Sequence, residues 1–159
     1  MGQCLTTTCH KSDKRTIPEV IDVRKLPHFV PMLTDGRVIK CYDGDTITIA
    51  AYLPFKESEL YKFSVRINGI DCPEIKGQTA NEKTCAQIAR NAVEGKILHK
   101  MVKLENVSTE KYGRVLADVV IDDCSIGPWL VEQRLAVEYK GKTKVSPPDW
   151  MEYYRGTRV

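Results

Sequence analysis

The segment Lys62-Phe63-Ser64-Val65-Arg66-Ile67-Asn68 alternates apolar and polar side chains without a break. A chain carrying such a period-two stretch has to build a sheet with one covered face, because successive side chains on a strand leave on opposite sides. Phe63, Val65 and Ile67 share the covered face, and Ser64, Arg66 and Asn68 share the other. Gly69 and Pro73 mark where the strand gives way to a turn, and Asp71 and Glu74 sit in that turn. One fixed cation and two carboxylates thus meet where the chain leaves the sheet, the part of a rigid scaffold where sites tend to lie.

The rest of the chain supplies partners for that strand. Val38, Ile39 and Tyr42, then Thr46-Ile47-Thr48-Ile49-Ala50-Ala51-Tyr52 after Asp43-Gly44-Asp45, are rich in residues that suit strands, so two strands are expected to meet at Asp43 to Asp45. Thr79-Ala80-Asn81-Glu82 fits a capping box, and Ala86, Ile88, Ala89, Ala92 and Val93 recur at helical spacing until Gly95 offers a stop. Met101 to Leu104 and Val115 to Ile121 read as strands flanking the turn Lys111-Tyr112-Gly113-Arg114. Ser125 is placed to cap a short helix holding Trp129, Leu130 and Val131, and Leu135 to Tyr139 is expected to close the sheet as its last strand. Ser146-Pro147-Pro148-Asp149 starts a final helix that carries Trp150, Met151 and Tyr154 toward the body. The expected class is α+β, mainly β: a five-stranded closed barrel with about three short helices. Residues 1–34, with Pro18, Pro27 and Pro31, read as a tether whose Val20, Ile21, Val23 and Leu26 are positioned to lie against the domain formed by residues 35–159.

At 159 residues the chain can bury one core, and a formal charge of +3 is compatible with an acidic polymer as partner without requiring one. Met1-Gly2-Gln3-Cys4-Leu5-Thr6 fits a myristoylation pattern at Gly2, with Cys4 and Cys9 as candidates for palmitoylation. One acyl chain anchors only marginally, so a second, helped by Lys11, Lys14 and Arg15 near anionic headgroups, is needed for stable attachment. No apolar run is long enough for a signal peptide or a membrane span. The expected location is the cytosolic face of a membrane if the chain is acylated, and otherwise the cytoplasm. The six cysteines are accordingly read as reduced thiols. Cys4 with Cys9-His10 lacks the second half of a zinc site.

Taken together, Asp43-Gly44-Asp45-Thr46, Arg66 to Glu74 and Lys111-Tyr112-Gly113-Arg114 resemble the staphylococcal nuclease family, whose motifs run in this order at similar separations, over about Arg37 to Tyr139. The resemblance implies an OB-like barrel and a calcium-dependent endonuclease. Such an enzyme cleaves DNA and RNA, prefers single-stranded or open substrate and leaves 3′-phosphate ends. It places Ca2+ on the positions of Asp45, Asp71 and the backbone carbonyl of Cys72, with Asp43 acting nearby through water. Two carboxylates, a carbonyl and waters suit the loose oxygen cage of calcium. Arg66 and Arg114 fall on the family's two catalytic arginines, which clamp the scissile phosphate in planar pairs that Lys cannot make. Glu74 matches its general base. Lys111 and Tyr112 match positions that contact the nucleotide, and Tyr139 is a candidate to stack a base. Cys72 stands where the family often has Thr, Arg134 where it commonly has Gly, and Gly127 near an Asn; the last two bear on the geometry of the second helix. A monomer acting on nucleic acid is expected. A non-catalytic OB-like binding module and a lipid-anchored adaptor are the alternatives.

Overall fold

The structure, a computed structural model, describes residues 16–110, 112–141 and 145–156. Gly2, Cys4, Cys9 and Lys111 lie outside the described residues. Three strands form a meander: β1 (Asp35–Cys41), β2 (Thr46–Tyr52) and β3 (Leu60–Ile67), each antiparallel to the next. The two-residue β4 (Ile70–Asp71) follows, then α1 (Ala80–Ile97), β5 (Met101–Thr109), β6 (Val115–Ile121), β7 (Cys124–Ser125), α2 (Ile126–Glu132), β8 (Val137–Glu138) and α3 (Trp150–Arg155). β5 pairs with β1 and with β6, and β6 returns to β3 in a parallel pairing of Val65 with Val115 and Ile67 with Ala117. That pairing closes a five-stranded barrel of OB-like form.

The barrel closes because one face of every strand is apolar. Val38, Ile47, Ile49, Val65 and Ala117 are fully buried, as are Ala89, Val93 and Ile97 of α1. Ala89, Val93 and Ile97 place α1 against the barrel core, while Cys85 lies toward Asp149 and Arg155 at α3. Its start is as expected, with the Thr79 hydroxyl accepting from the Glu82 amide at 3.1 Å. Gly95 does not stop it; the helix runs two residues further, to Ile97, and His99 turns the chain with φ of 62°.

Three expectations change. Leu135 to Tyr139 does not close the barrel: Leu135 and Ala136 are buried at the end of α2, and only Val137–Glu138 pairs, with β4 and outside the main sheet. Val20, Ile21, Val23 and Leu26 do not pack; all four are exposed. In α3, Trp150 is buried and Tyr153 packs edge-on against it, with its hydroxyl donating to the Ala136 carbonyl at 3.1 Å, whereas Tyr154 stays exposed.

Candidate active site

The barrel register brings the motifs together. Thr46, first in β2, lies opposite Arg66 near the end of β3, and the parallel seam sets Arg66 beside Leu116, two residues past Arg114. The Ile67 amide donates to the Asp45 carbonyl at 2.8 Å and so fixes the Asp43 to Asp45 turn to that strand end. Gly44 in this turn is required for room, and its φ is not positive. A Cβ there would stand 2.8 Å from Cys72 Sγ and 2.9 Å from Ala89 Cβ.

Arg66 is the hub. Its Nη1 lies 2.8 Å from Asp45 Oδ2, and its Nη2 lies 3.0 Å from Asp71 Oδ1 and donates to the Ile70 carbonyl at 3.1 Å. Burial works against its charge, but Asp45 and then Asp71 more than offset this and hold its pKa above the usual value. Asp45 is itself almost wholly buried; Oδ2 also accepts from the Cys72 amide at 3.3 Å, and Oδ1 accepts from the Thr46 hydroxyl at 2.9 Å. Arg114 reaches the same network from the other side. Its Nη1 donates to Thr46 Oγ1 at 3.3 Å, and its Nε is paired with Glu110. The chain of contacts Asp71, Arg66, Asp45, Thr46, Arg114 is continuous across three strands.

Asp43 accepts from the Asp45 amide at 3.2 Å, and burial together with the neighbouring Asp45 pushes its pKa up to about 6. The Cys72 thiol is held well above its ordinary value by burial and by Asp45, Asp43 and Asp71, so at neutral pH it is protonated and offers a metal only its backbone carbonyl. Among the described residues no three His, Cys, Asp or Glu side chains form a ready metal cage; the Asp45 and Asp71 carboxylates are turned onto Arg66.

Glu74 is exposed beyond buried Pro73 on a loop tied to α1, where Glu82 accepts from the Gln78 amide at 3.0 Å and the Glu74 amide at 3.4 Å. Tyr112 is exposed at the tip of the turn that Glu110 closes on Arg114. Tyr139 directly follows β8. Its amide donates to the Gly69 carbonyl at 2.8 Å, and it lines a cavity of about 620 Å³ with Asn68, Asp118, Gly127 and Val131. Thr46 and Glu110 were not legible as site residues, since a strand-start Thr and a Glu before a turn carry no signal of their own. Only the four-residue spacing of Glu110 from Arg114 points to the pair.

A small closed barrel whose strand ends gather two arginines and two buried carboxylates defines the class: an OB-like barrel with a charged network at one end. The Staphylococcal nuclease homologue family matches residues 64–155, more than half of the chain, and the chain belongs to that family. The match takes in Arg66, Asp71, Glu74 and Arg114, while Asp43 and Asp45 precede it. A probable endonuclease of Schizosaccharomyces pombe is 30% identical over 105 residues, which are 60% of this chain and 46% of that protein. Protein ParB of Escherichia coli is 26% identical over 136 residues, 78% of this chain and 70% of its own length. The chain thus spans about half the length of the first of these relatives.

Proposed function

We propose that the chain is a phosphodiester hydrolase, an endonuclease acting on DNA and RNA with a preference for single-stranded or open substrate and leaving 3′-phosphate ends. The observation that carries this reading is the placement of Arg66 and Arg114 in one hydrogen-bonded network at one barrel end, in a member of this family. Both guanidiniums are held on the protein's own oxygens, Arg66 by Asp45 and Asp71 and Arg114 by Glu110 and Thr46. A phosphate entering between them takes up the guanidinium donors, and the Asp45 and Asp71 carboxylates released from Arg66 turn to the cation. Glu74 takes the proton of the attacking water.

The cofactor in this reading is Ca2+. Asp45 and Asp71 put two carboxylates on one guanidinium, with Asp43 hydrogen-bonded within the turn that carries Asp45, and these hard oxygens fit a divalent oxygen-seeking cation. Asp45, Asp71 and the Cys72 carbonyl would hold it, with Asp43 behind a water. Bound there, the ion supplies charge neutralisation at the phosphate. Lys111, Tyr112 and Tyr139 contact the nucleotide. Attachment to the cytosolic face of a membrane through acyl groups on Gly2 and Cys4 belongs to the same proposal, and mass spectrometry of the intact chain reads it directly.

Heat-denatured DNA incubated with the purified protein tests the activity. Cleavage is expected with calcium and lost in chelator, and Arg114→Ala is expected to lower the rate about 100-fold or more. Glu74→Gln should also be strongly impaired. Intact DNA under every metal, with the protein shown folded, would instead favour a non-catalytic binding module.

A further inference from the structure

Thr46 joins the two halves of the charged network. Asp71, Arg66 and Asp45 make one half, and Arg114 with Glu110 makes the other. Among the described residues the Arg114 side chain bonds to Glu110, within its own turn, and to Thr46. The Thr46 hydroxyl is therefore what ties Arg114 to the rest of the barrel end. A threonine at the start of a strand is ordinarily there for its β propensity and needs no charged neighbours. This one lies between an anion and a cation, and it is only 7% exposed.

Chemistry fixes which way each of its bonds runs. A hydroxyl has one proton to give and lone pairs with which to accept, whereas an ionised carboxylate only accepts and a guanidinium only donates. The Thr46 proton therefore points to Asp45 Oδ1 at 2.9 Å, and the Thr46 oxygen receives Arg114 Nη1 at 3.3 Å. Asp43 is a second carboxyl against the same side chain. Negative charge on Asp45 draws on the hydroxyl proton and makes the oxygen a better acceptor for Arg114, so the two bonds strengthen each other. The placement is held from the backbone as well. The Thr46 carbonyl accepts from the Tyr42 and Asp43 amides at 2.8 and 3.4 Å, Thr46 faces Arg66 across the β2–β3 ladder, and a β-branched side chain has few rotamers to choose from.

We propose that Thr46 is a positioning residue whose hydroxyl couples Asp45, the carboxylate read as a cation ligand, to Arg114, the arginine read as a phosphate clamp. The inference rests on the nuclease reading of this barrel end. Asp45 turned to a cation draws less on the hydroxyl proton, and the weakened oxygen releases Arg114 Nη1 toward a phosphate. By linkage, a phosphate that takes Arg114 favours the cation at Asp45 by the same factor. Valine, with the same shape and no hydroxyl, would leave both ligands able to bind but would remove this link between them.

Calorimetric titration of the full chain with calcium, with and without thymidine 5′-monophosphate, tests the coupling. The mononucleotide has a phosphate but no phosphodiester bond to cut. It is expected to tighten calcium binding about fivefold or more in the parent, to lose most of that gain in Thr46→Val and to keep it in Thr46→Ser, which restores the hydroxyl. No calcium binding in the parent, an equal gain in all three proteins, or a gain lost alike in the valine and serine variants would overturn the proposal. Side-chain NMR of the parent supplies a second measurement that does not depend on a variant folding. Rotation about the Arg114 Nε–Cζ bond interchanges Nη1 and Nη2; Glu110 at Nε permits that rotation, and Thr46 at Nη1 opposes it. Separate Nη signals are expected before calcium is added, and freely exchanging ones would overturn the link. A parent that shows the gain yet leaves denatured DNA intact would sink the nuclease reading and leave the coupling standing.

Discussion

Single residues at the barrel end are constrained by space as much as by charge. Gly44 sits in a turn that, in sequence, reads as an ordinary Asp-Gly reversal, yet its hydrogen is wedged between Cys72 and Ala89. Gly44→Ala is expected to lower stability by about 1–3 kcal/mol in a denaturant melt. The same substitution displaces Asp45 from Arg66. Arg134 poses the opposite case. With φ of 55° it occupies the left-handed position after α2, where its amide bonds to the Val131 carbonyl and the Leu135 amide to the Leu130 carbonyl, both at 2.9 Å. This is a Schellman end, which glycine fits best. The left-handed conformation costs a non-glycine residue about 1–2 kcal/mol. The Arg134 guanidinium occupies the space beside Gly156 at the C-terminus of α3, and a cation at a helix C-terminus is worth about 0.3–1 kcal/mol. The strain wins. Arg134→Gly should raise Tm by about 2–4 °C, and by more in high salt, which screens what the arginine contributes.

At the scale of elements, α3 is held by its cap. The Asp149 carboxylate accepts from Asn81 of α1 at 2.6 Å and from the Met151 and Glu152 amides at 2.7 and 3.0 Å, and these bonds, Asn81 first, lower its pKa. A depressed folded value means that the stabilisation is complete above the unfolded value, about 4, and is lost as pH falls through the folded one. Trp150 fluorescence should therefore stay native at pH 5 and report the loosening of α3 only below about pH 4. Asn81→Ala should move that transition upward. Elements with local signals were legible: Thr79 and Glu82 located the start of α1, alternation located β3, and strand-favouring composition located β2. Pairing was not. Leu135 and Ala136 are as apolar as strand residues, but the Leu135 amide is spent on the end of α2, so the ladder begins only at Val137. Gly95 misled because its helical position faces open space, where the missing side chain costs propensity without ending the helix. Arg66 and Asp71 were legible because their charges flank a readable strand end. Thr46 gains its position in the network only from a register that no local pattern encodes.

The whole molecule depends on one seam. β3 and β6 meet in the single parallel pairing of the barrel among the described residues, joining segments separated by α1 and β5. Such a contact closes a long loop and forms slowly. Since the seam also sets Arg66 beside the strand that follows Arg114, the proposed activity should return in refolding with the same rate constant as the last change in fluorescence. Activity preceding that phase would show that the arginines assemble without closure. The same geometry bears on synthesis. While the ribosome is still extending the chain toward β6, Arg66 and its carboxylates are already made but Arg114 has no place to stand. A nuclease of the proposed kind would therefore gain its second arginine only once the strand that follows it has been translated and has found its seam.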